Sequence, residues 1–304
     1  AIKQETRFGV GAAFEKEYRR DHPVMEEDWA VSPVTRVNRD KAWKQLGSSG
    51  GGNHFVEFGE LHLDEAARIG ERELTPGTYL ALLSHSGSRG TGEAVALHYS
   101  QRAMSLHPDL PEELRRLAWL SLDREEGQEY WAAMQLMGRY ASANHELIHR
   151  HILKALGCCA LTHVENHHNF AWLEEHDGEQ VVVHRKGATP ADKGRLGVVP
   201  GSMCSPAFVV RGKGREDALC SCSHGGGRIV NRSFEFRQCL QINLITVLTK
   251  NGLIQLSPGL DESPMAYKDI RAVMKAQQDL VDILAVFHPR LVKMAKSEAR
   301  RKGR

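Results

Sequence analysis

The spacing of apolar residues predicts one long helix in the middle of the chain. From about Glu125 to Leu156, apolar positions recur close to every 3.6 residues, as on the buried face of a helix. This stripe consists of Tyr130, Met134, Met137, Ala141, Ile148 and Ile152. A second helix is predicted from about Asp269 to Phe287, and Pro289 would stop it. Its buried face would consist of Ile270, Val273, Met274, Leu280, Leu284 and Phe287.

Short runs of β-branched and aromatic residues on both sides of the long helix predict strands. These runs are FVEF from Phe55, TYLALLS from Thr78, QVVVH from Gln180 and AFVVRG from Ala207. Helices and strands do not alternate strictly, so the pattern favours an α+β fold over a doubly wound parallel sheet. Glycine and proline are scattered and no internal repeat is present, which predicts a single domain over residues 1–304.

Composition places the chain among globular proteins. It has 304 residues, of which 41% are hydrophobic and 26% charged, and no apolar run approaches the roughly 20 residues that span a bilayer. The opening residues AIKQETRFGVG contain no apolar signal-peptide core, so we expect a cytoplasmic protein with six reduced cysteines. The formal charge of +2 does not by itself indicate a nucleic-acid binder.

Basic residues are concentrated at the end of the sequence. Residues 290–304 contain seven Lys or Arg residues against the single Glu298. Such a tail suits contact with a phosphate backbone, and it also suits a solvated terminus.

Polar motifs stand where the predicted strands begin and end. GGGNHFVE, SHSGSRG, ENHHNF and HRKGATPA each contain histidine together with glycine or a short polar residue. Loops at strand ends commonly converge on one pocket. His54, His85 and His168 are therefore predicted to be imidazole ligands of a divalent metal ion. Asn53, Glu57 and Asn169 are predicted to support these ligands or to bind a substrate. The cations in or beside the same motifs suggest phosphate binding, and they are Arg89, Arg185, Lys186 and Arg228.

The stretch SCSHGGGR sets His224 between small residues and Gly225, Gly226 and Gly227. Glycines let the backbone adopt positive φ and let a ligand approach, so this pattern predicts a functional site. Metal ligand, general base and nucleophile all remain open for His224 from its surroundings alone.

A competing signature lies on the long helix. His145-Glu146-Leu147-Ile148-His149 fits the HExxH pattern of zinc proteases. No third histidine follows at the spacing of the longer HExxHxxGxxH pattern, and His145 falls within the apolar stripe. The sequence therefore favours helix histidines without a protease function.

Seven motifs together resemble one family. GGGNHFVE, SHSGSRG, ENHHNF, VHRKGATPA, VPGSM, SCSHGGGR and PMAYKDI occur in the order seen in the RtcB family of RNA-splicing ligases, over residues about 47 to 293. The resemblance implies the family's α+β fold, with mixed and antiparallel sheets around a metal and nucleotide pocket and with helices outside. It also implies GTP as co-substrate and manganese as cofactor, with two ions per site when the whole ligand set is present.

The resemblance implies a covalent mechanism through His224. In the family, the histidine at this position attacks the α-phosphorus of GTP and becomes guanylated. The guanylyl group passes to an RNA 3′-phosphate, and an RNA 5′-hydroxyl then displaces GMP. A 2′,3′-cyclic phosphate end is first hydrolysed to the 3′-phosphate. The expected partners are such RNA ends and GTP, and the need for a protein activator stays open.

The resemblance also assigns roles to individual residues. It implies manganese ligands at His54, His85 and His168, and GMP contacts at Asn53 and Glu57. The remaining nucleotide-binding residues implied are Ser202, Met203, Gly225, Gly226, Gly227 and Tyr267. A lysine near the end of the family's chain contacts guanine, for which Lys293 and Lys296 are both candidates.

Two departures from the family pattern leave alternatives open. The family's cysteine ligand, in an Asp-x-x-Cys-Gly segment, has no counterpart in this sequence. Cys204 stands where the family usually has glycine, either as a tolerated small side chain or as a substitute thiolate. The alternatives to an active ligase are therefore an impaired paralogue that binds RNA ends and, more remotely, a zinc hydrolase using the HExxH helix.

Overall fold

A computed structural model describes residues 1–229, 254–255 and 264–295. Its mixture of helices and largely antiparallel sheets confirms the α+β prediction. The chain divides into two compact units, which are described separately below. Unit 1 comprises Ala1–Gly50 with Ser84–Leu156, and unit 2 comprises Gly51–Leu83 with Gly157–Arg304. The expectation of a single domain stays a prediction.

Unit 1 is helical. Its helices are α1 (Ile2–Glu5), α2 (Pro33–Gln45), α3 (Arg89–Leu106) and α4 (Glu125–Leu156), with short 3₁₀ turns at Lys16–Tyr18, Pro23–Met25, Trp29–Val31 and Glu112–Leu117. α4 confirms the long predicted helix, and Met137, Ala141, Ile148 and Ile152 of the predicted stripe are buried. Ser32 is the N-cap of α2, and its hydroxyl oxygen accepts the backbone N–H of Thr35.

Unit 2 is built mainly from strands. They are β1 (Phe55–Leu63), β2 (Ala67–Ile69), β3 (Arg72–Leu74), β4 (Gly77–His85, whose last two residues belong to unit 1), β5 (Asn169–His176), β6 (Glu179–Lys186), β7 (Ala188–Pro190), β8 (Leu196–Pro200), β9 (Ala207–Gly212), β10 (Ser221–Ser223), β11 (Ile254–Gln255) and β12 (Val281–Met294). One helix, α5 (Ile270–Ala276), and 3₁₀ turns at Glu216–Ala218 and Pro264–Ala266 accompany them. β1, β4, β6 and β9 confirm the four predicted strands.

The largest sheet in the described residues has the order β4-β1-β12-β9-β8, and β11 pairs with β12 in parallel. β12 is antiparallel to both β1 and β9. Smaller antiparallel pairs are β5–β6, β7–β10 and β2–β3. The smaller pairs β5–β6 and β7–β10 carry the residues that surround His224.

The predicted helix from Asp269 to Phe287 is wrong beyond its first turns. Only α5 is helical, and Val281–Met294 is the strand β12. The run VDILAVF is rich in β-branched residues, and pairing with two distant strands decides its conformation. Pro289 does not stop a helix; it lies at a register shift opposite Gly59, which is where a sheet tolerates proline.

Part of the predicted basic tail belongs to a strand. Arg290 and Lys293 belong to β12, and Arg290 forms an ion pair with Glu60. Residues 296–304, including Lys296, lie outside the described residues. None of the described helices combines the length and apolar character needed to cross a membrane.

Candidate active site

The ring of His224 is held by a backbone carbonyl. His224 directly follows β10 and is half-buried. Its Nδ1 lies 2.7 Å from the carbonyl oxygen of Gly187, which also accepts the backbone N–H of His224 at 3.4 Å. Because a carbonyl oxygen can only accept, Nδ1 carries the proton of the neutral ring. The lone pair therefore lies on Nε2, the nitrogen available to attack an electrophile.

A second predicted site histidine lies against this ring. The His168 and His224 rings stack, with centroids 5.1 Å apart and planes inclined by 17°. The N–H of Gly187 donates to the carbonyl of His168 at 3.2 Å. Gly187 has a φ of +81°, a conformation that favours glycine. Through its N–H and its carbonyl, this glycine connects both histidines.

The glycines after His224 bring it against the VPGSM loop. The N–H of Gly226 donates to the carbonyl of Pro200 at 3.0 Å, and a Cβ on Gly225 would lie only 2.8 Å from the same oxygen. Gly227 has a φ of +64°, and its carbonyl accepts the N–H of Lys268 at 3.0 Å. Close approach and positive φ therefore explain these glycines. SCSHGGGR, VPGSM and PMAYKDI are adjacent in the structure.

Arg228 and Tyr267 form a pair beside the glycines. Nη1 of Arg228 donates to the Tyr267 hydroxyl at 3.2 Å, and the guanidinium carbon lies 5.1 Å from the centroid of the ring. A β-bridge also joins the two residues. A predicted phosphate-binding residue and a predicted nucleotide-binding residue thus lie side by side.

The VPGSM loop supplies one polar side chain and one core side chain. Ser202 is half-buried, and its Oγ lies 2.7 Å from Oγ of Ser205. Met203 is buried and packs with Val292 and Met294. The side chain of Met203 is therefore part of the core, which leaves its backbone for any contact with a nucleotide.

Cys204, which follows Met203, is poorly suited to act as a thiolate. Burial raises the pKa of the Cys204 thiol, so the neutral form is favoured near pH 7. The five described cysteines form no disulfide, and the expectation of six reduced cysteines stays a prediction. Cys239 lies outside the described residues.

The GGGNHFVE motif leads into β1. Asn53 and His54 are half-buried just before the strand, whereas Glu57 is buried within it. Burial raises the pKa of Glu57 well above its usual range. Lys293 on the adjacent strand pairs with Val56, and its Nζ donates to the carbonyl of the next residue at 2.9 Å.

In unit 1, the two histidines of the HExxH sequence support the SHSGSRG loop. Nε2 of His145 accepts the backbone N–H of Ser86 at 3.2 Å, and Nε2 of His149 lies 2.9 Å from Oγ of Ser84. Both loop residues flank His85. The helix histidines are therefore structural, as the sequence favoured.

Glu146, the base of the HExxH hypothesis, points to solvent. Its side chain is 58% exposed and forms an ion pair with Arg150 at 2.7 Å. Its other oxygen lies 3.2 Å from Nε2 of His22. A solvent-exposed carboxylate in such pairs is poorly placed to activate a metal-bound water.

Arg89 begins α3 at the end of the same loop. It has a φ of +55°, and its Nε donates to Oγ of Ser48 at 3.2 Å. Burial lowers the pKa of Arg89. A side chain at Gly50, which has a φ of +100°, would clash with the Arg89 guanidinium. Glycine at position 50 therefore makes room for this cation.

The three predicted metal ligands are divided between the two units. The described residues contain no group of three or more His, Cys, Asp or Glu side chains arranged to hold an ion. His54 and His168 belong to unit 2, and His85 belongs to unit 1. The metal-ligand role of the three histidines stays a prediction, and no chemical step is assigned to an ion.

Arg185 does not fit its predicted role as a phosphate-binding cation. Its side chain is 2% exposed and makes two hydrogen bonds to the carboxylate of Glu174, at 2.5 and 2.9 Å. The neighbouring Lys186 is exposed at the end of β6, one residue before Gly187. Lys186 is therefore the cation of this motif that is available to an anionic ligand.

Several residues that position the site were missed from the sequence. Asn166 ties the ENHHNF loop to β7 and β8: its Nδ2 donates to Oγ1 of Thr189 at 2.9 Å, and its Oδ1 accepts the N–H of Val198 at 3.0 Å. Gln277 accepts the N–H of Ser223, directly before His224, at 2.8 Å. Asn166 lies within a motif that was noticed for its histidines, whereas nothing near Gln277 signals a site. Asn169, predicted to support the site, is exposed at the start of β5.

Two kinds of sequence comparison relate this chain to known proteins. Residues 2–295 match the family model described as tRNA-splicing ligase RtcB. The chain is 33% identical to the RNA-splicing ligase RtcB of Escherichia coli K12 over 274 residues, covering 84% of this chain and 62% of that protein. It is 32% identical to the tRNA-splicing ligase RtcB of Methanococcus maripaludis, covering 87% of this chain and 64% of that protein. The chain thus spans less than two thirds of these relatives, and by these matches it belongs to the RtcB family.

Proposed function

We propose that this protein is a GTP-dependent RNA ligase that works through a guanylated His224. It would join RNA ends carrying a 3′-phosphate or a 2′,3′-cyclic phosphate to 5′-hydroxyl ends, in tRNA splicing or RNA repair. Membership of the RtcB family supports the reaction class. The observation that carries the assignment to His224 is the 2.7 Å contact between its Nδ1 and the Gly187 carbonyl.

In the first step, Nε2 of His224 attacks the α-phosphorus of GTP. The Nε2–P bond forms as the bond from the α-phosphorus to the bridging oxygen breaks, and pyrophosphate leaves. Positive charge grows on the ring during attack, and the Nδ1–H···O=C hydrogen bond to Gly187 stabilises it. Lys186, one residue before Gly187, and Arg228, four residues after His224, are the cations that would offset charge on the phosphates.

Two further displacements complete the reaction. An oxygen of the RNA 3′-phosphate attacks the guanylyl phosphorus and the Nε2–P bond breaks, which frees His224. The RNA 5′-hydroxyl then attacks the phosphorus of the 3′-phosphate, loses its proton and expels GMP. A cyclic phosphate end first gains water and opens to the 3′-phosphate.

The nucleotide would lie against the backbone of Gly225, Gly226 and Gly227, with Ser202 and Tyr267 at its sides. Asn53, Glu57 and Lys293 are the further contacts that the family resemblance proposes. Arg89 is a further predicted phosphate-binding cation. Manganese dependence belongs to this proposal on the same resemblance, and it is tested by adding or omitting the ion.

The test is covalent labelling of the chain. The protein is incubated with GTP, with and without manganese, and any GMP adduct is mapped by peptide mass spectrometry. We expect an adduct on the peptide containing His224 that disappears in His224→Ala and persists in His184→Ala, a control at an exposed histidine on β6. An adduct elsewhere, or none from folded chain supplied with manganese, would refute the proposal. RNA affinity that falls with salt, without an adduct, would instead identify an RNA-end binder.

A further inference from the structure

Arg185 is a buried cation that the proposed chemistry does not use. It lies on β6, and its guanidinium forms a two-pronged hydrogen bond with Glu174 on β5. The guanidinium carbon also lies 5.1 Å from the centroid of the Trp172 ring. A buried arginine is costly unless its charge is neutralised and its donors are satisfied. Glu174 supplies the opposite charge and accepts two of the five guanidinium N–H donors, and two of the remaining three have other partners.

Those donors reach the segment that leads to His224. Nε of Arg185 donates to Oγ of Ser221 at 2.8 Å, and Nη2 donates to the carbonyl of Leu219 at 2.8 Å. Leu219 and Cys220 have φ values of 48° and 45°, a conformation that is unfavourable for residues other than glycine. Such a turn persists only when surrounding contacts hold it, and the Arg185 guanidinium supplies contacts on both sides of Cys220.

The segment that follows Arg185 in the chain carries the carbonyl that holds the His224 ring. Two residues after Arg185, the carbonyl of Gly187 accepts the Nδ1 proton of His224. In the β7–β10 pair, Ala188 lies opposite Ser223. Ala188 directly follows Gly187, and Ser223 directly precedes His224. One residue therefore connects the segment that carries the acceptor carbonyl to the segment that carries the imidazole.

We propose that Arg185 is a positioning residue that keeps the Gly187 carbonyl in line with Nδ1 of His224. It thereby fixes the tautomer that leaves the lone pair on Nε2. Its rigid fork matters as well as its charge, because a lysine ammonium cannot reach Glu174, Ser221 and Leu219 in the same geometry. The catalytic consequence rests on the proposed function, whereas the tautomer does not.

The test therefore has two independent measurements. The first is the long-range ¹H–¹⁵N spectrum of chain labelled with ¹⁵N-histidine, recorded where the imidazole is neutral. It reports which ring nitrogen carries the proton, and the His224 signals are assigned by their loss in His224→Ala. The second is the rate of GMP-adduct formation as a function of GTP concentration and pH.

The variants are Arg185→Lys, Arg185→Met and Glu174→Gln. The control is Arg195→Lys, because Arg195 is 44% exposed and forms its ion pair with Asp192, three residues earlier in the sequence. In Arg185→Lys we expect a mixture of tautomers at His224 and an adduct rate about 100-fold lower, the loss that a shift of about 1 Å can cause. The KM for GTP should change little, and Arg195→Lys should match the parent chain.

A folded Arg185→Lys chain that keeps the single Nδ1–H tautomer and the parent rate would overturn the proposal. If Arg185→Met does not fold, Arg185→Lys and Glu174→Gln decide the matter, because both retain a hydrogen-bonding group of similar length. Absence of an adduct in the parent chain would contradict the proposed function alone, since the tautomer spectrum still tests the positioning role.

Discussion

Replacing Asn144 with alanine should destabilise unit 1 by disconnecting two of its loops from α4. Asn144 is fully buried, and its Oδ1 accepts the N–H of Gly47 at 2.7 Å. Its Nδ2 donates to the carbonyl of Ser48 at 3.0 Å and to Oγ of Ser86 at 2.9 Å. One amide thus anchors the loop before GGGNHFVE and the loop that carries His85.

The size of the effect follows from which groups lose their partner. In Asn144→Ala, Oγ of Ser86 keeps its hydrogen bond to the carbonyl of Ser49 at 2.8 Å. The carbonyl of Ser48 loses the amide but still has Oγ of Ser86 at 3.2 Å, so the N–H of Gly47 is the group left without a partner. A buried polar group left without its partner costs about 1–3 kcal/mol, so the free energy of unfolding should fall by about that amount.

Urea unfolding followed by tryptophan fluorescence measures this change. Four of the five tryptophans lie in unit 1, namely Trp29, Trp43, Trp119 and Trp131, so the signal reports mainly on that unit. The matched control is Asn38→Ala on α2, where Nδ2 only donates to Val34 within the same helix. A loss below about 1 kcal/mol for Asn144→Ala, at an unchanged denaturant slope, would refute this accounting of the buried amide.

Two other predictions concern carboxylates. Glu146→Gln should leave the rate of GMP-adduct formation within about twofold of the parent, because Glu146 is exposed and paired with Arg150; a large loss of activity, or a zinc requirement, would revive the HExxH hypothesis. Glu57→Gln should stabilise the chain near pH 7 and make no difference below about pH 4, as measured by urea unfolding across pH. Burial raises the pKa of Glu57, so the folded state binds the proton more tightly and native stability falls as pH rises past the unfolded pKa of about 4.3. Equal stability of the two chains near pH 7 would contradict this reasoning.

Local signals in the sequence were sufficient for most elements around the site. α4 carries a strong 3.6-residue repeat, and β1, β4, β6 and β9 are short β-branched or aromatic runs beside turn residues. The glycines of SCSHGGGR also indicated a close approach, and the structure shows Gly225 and Gly226 against Pro200.

Features set by distant partners were not predictable in this way. The apolar positions of Val281–Met294 fit a helix as well as a strand, and only the pairing with β1 and β9 distinguishes them. Arg185 has the residue type and the neighbours of a phosphate-binding cation. Its contacts in the structure are instead with Glu174 and Leu219, which approach it through the β5–β6 pairing and a left-handed turn.

The central place of β12 has a consequence for the order of folding. In the main sheet β12 lies between β1 and β9, which do not pair with each other. Phe55 at the start of β1 pairs with Met294, which is far away in the sequence. During synthesis, the β4–β1 pair and the β9–β8 pair are therefore made before β12. The edges of β1 and β9 that bind β12 stay unpaired until β12 has been synthesised. Long-range pairing of this kind folds slowly and exposes strands to aggregation in the interval. Unit 2 is thus the part of the molecule whose yield should depend most on protection of the nascent chain.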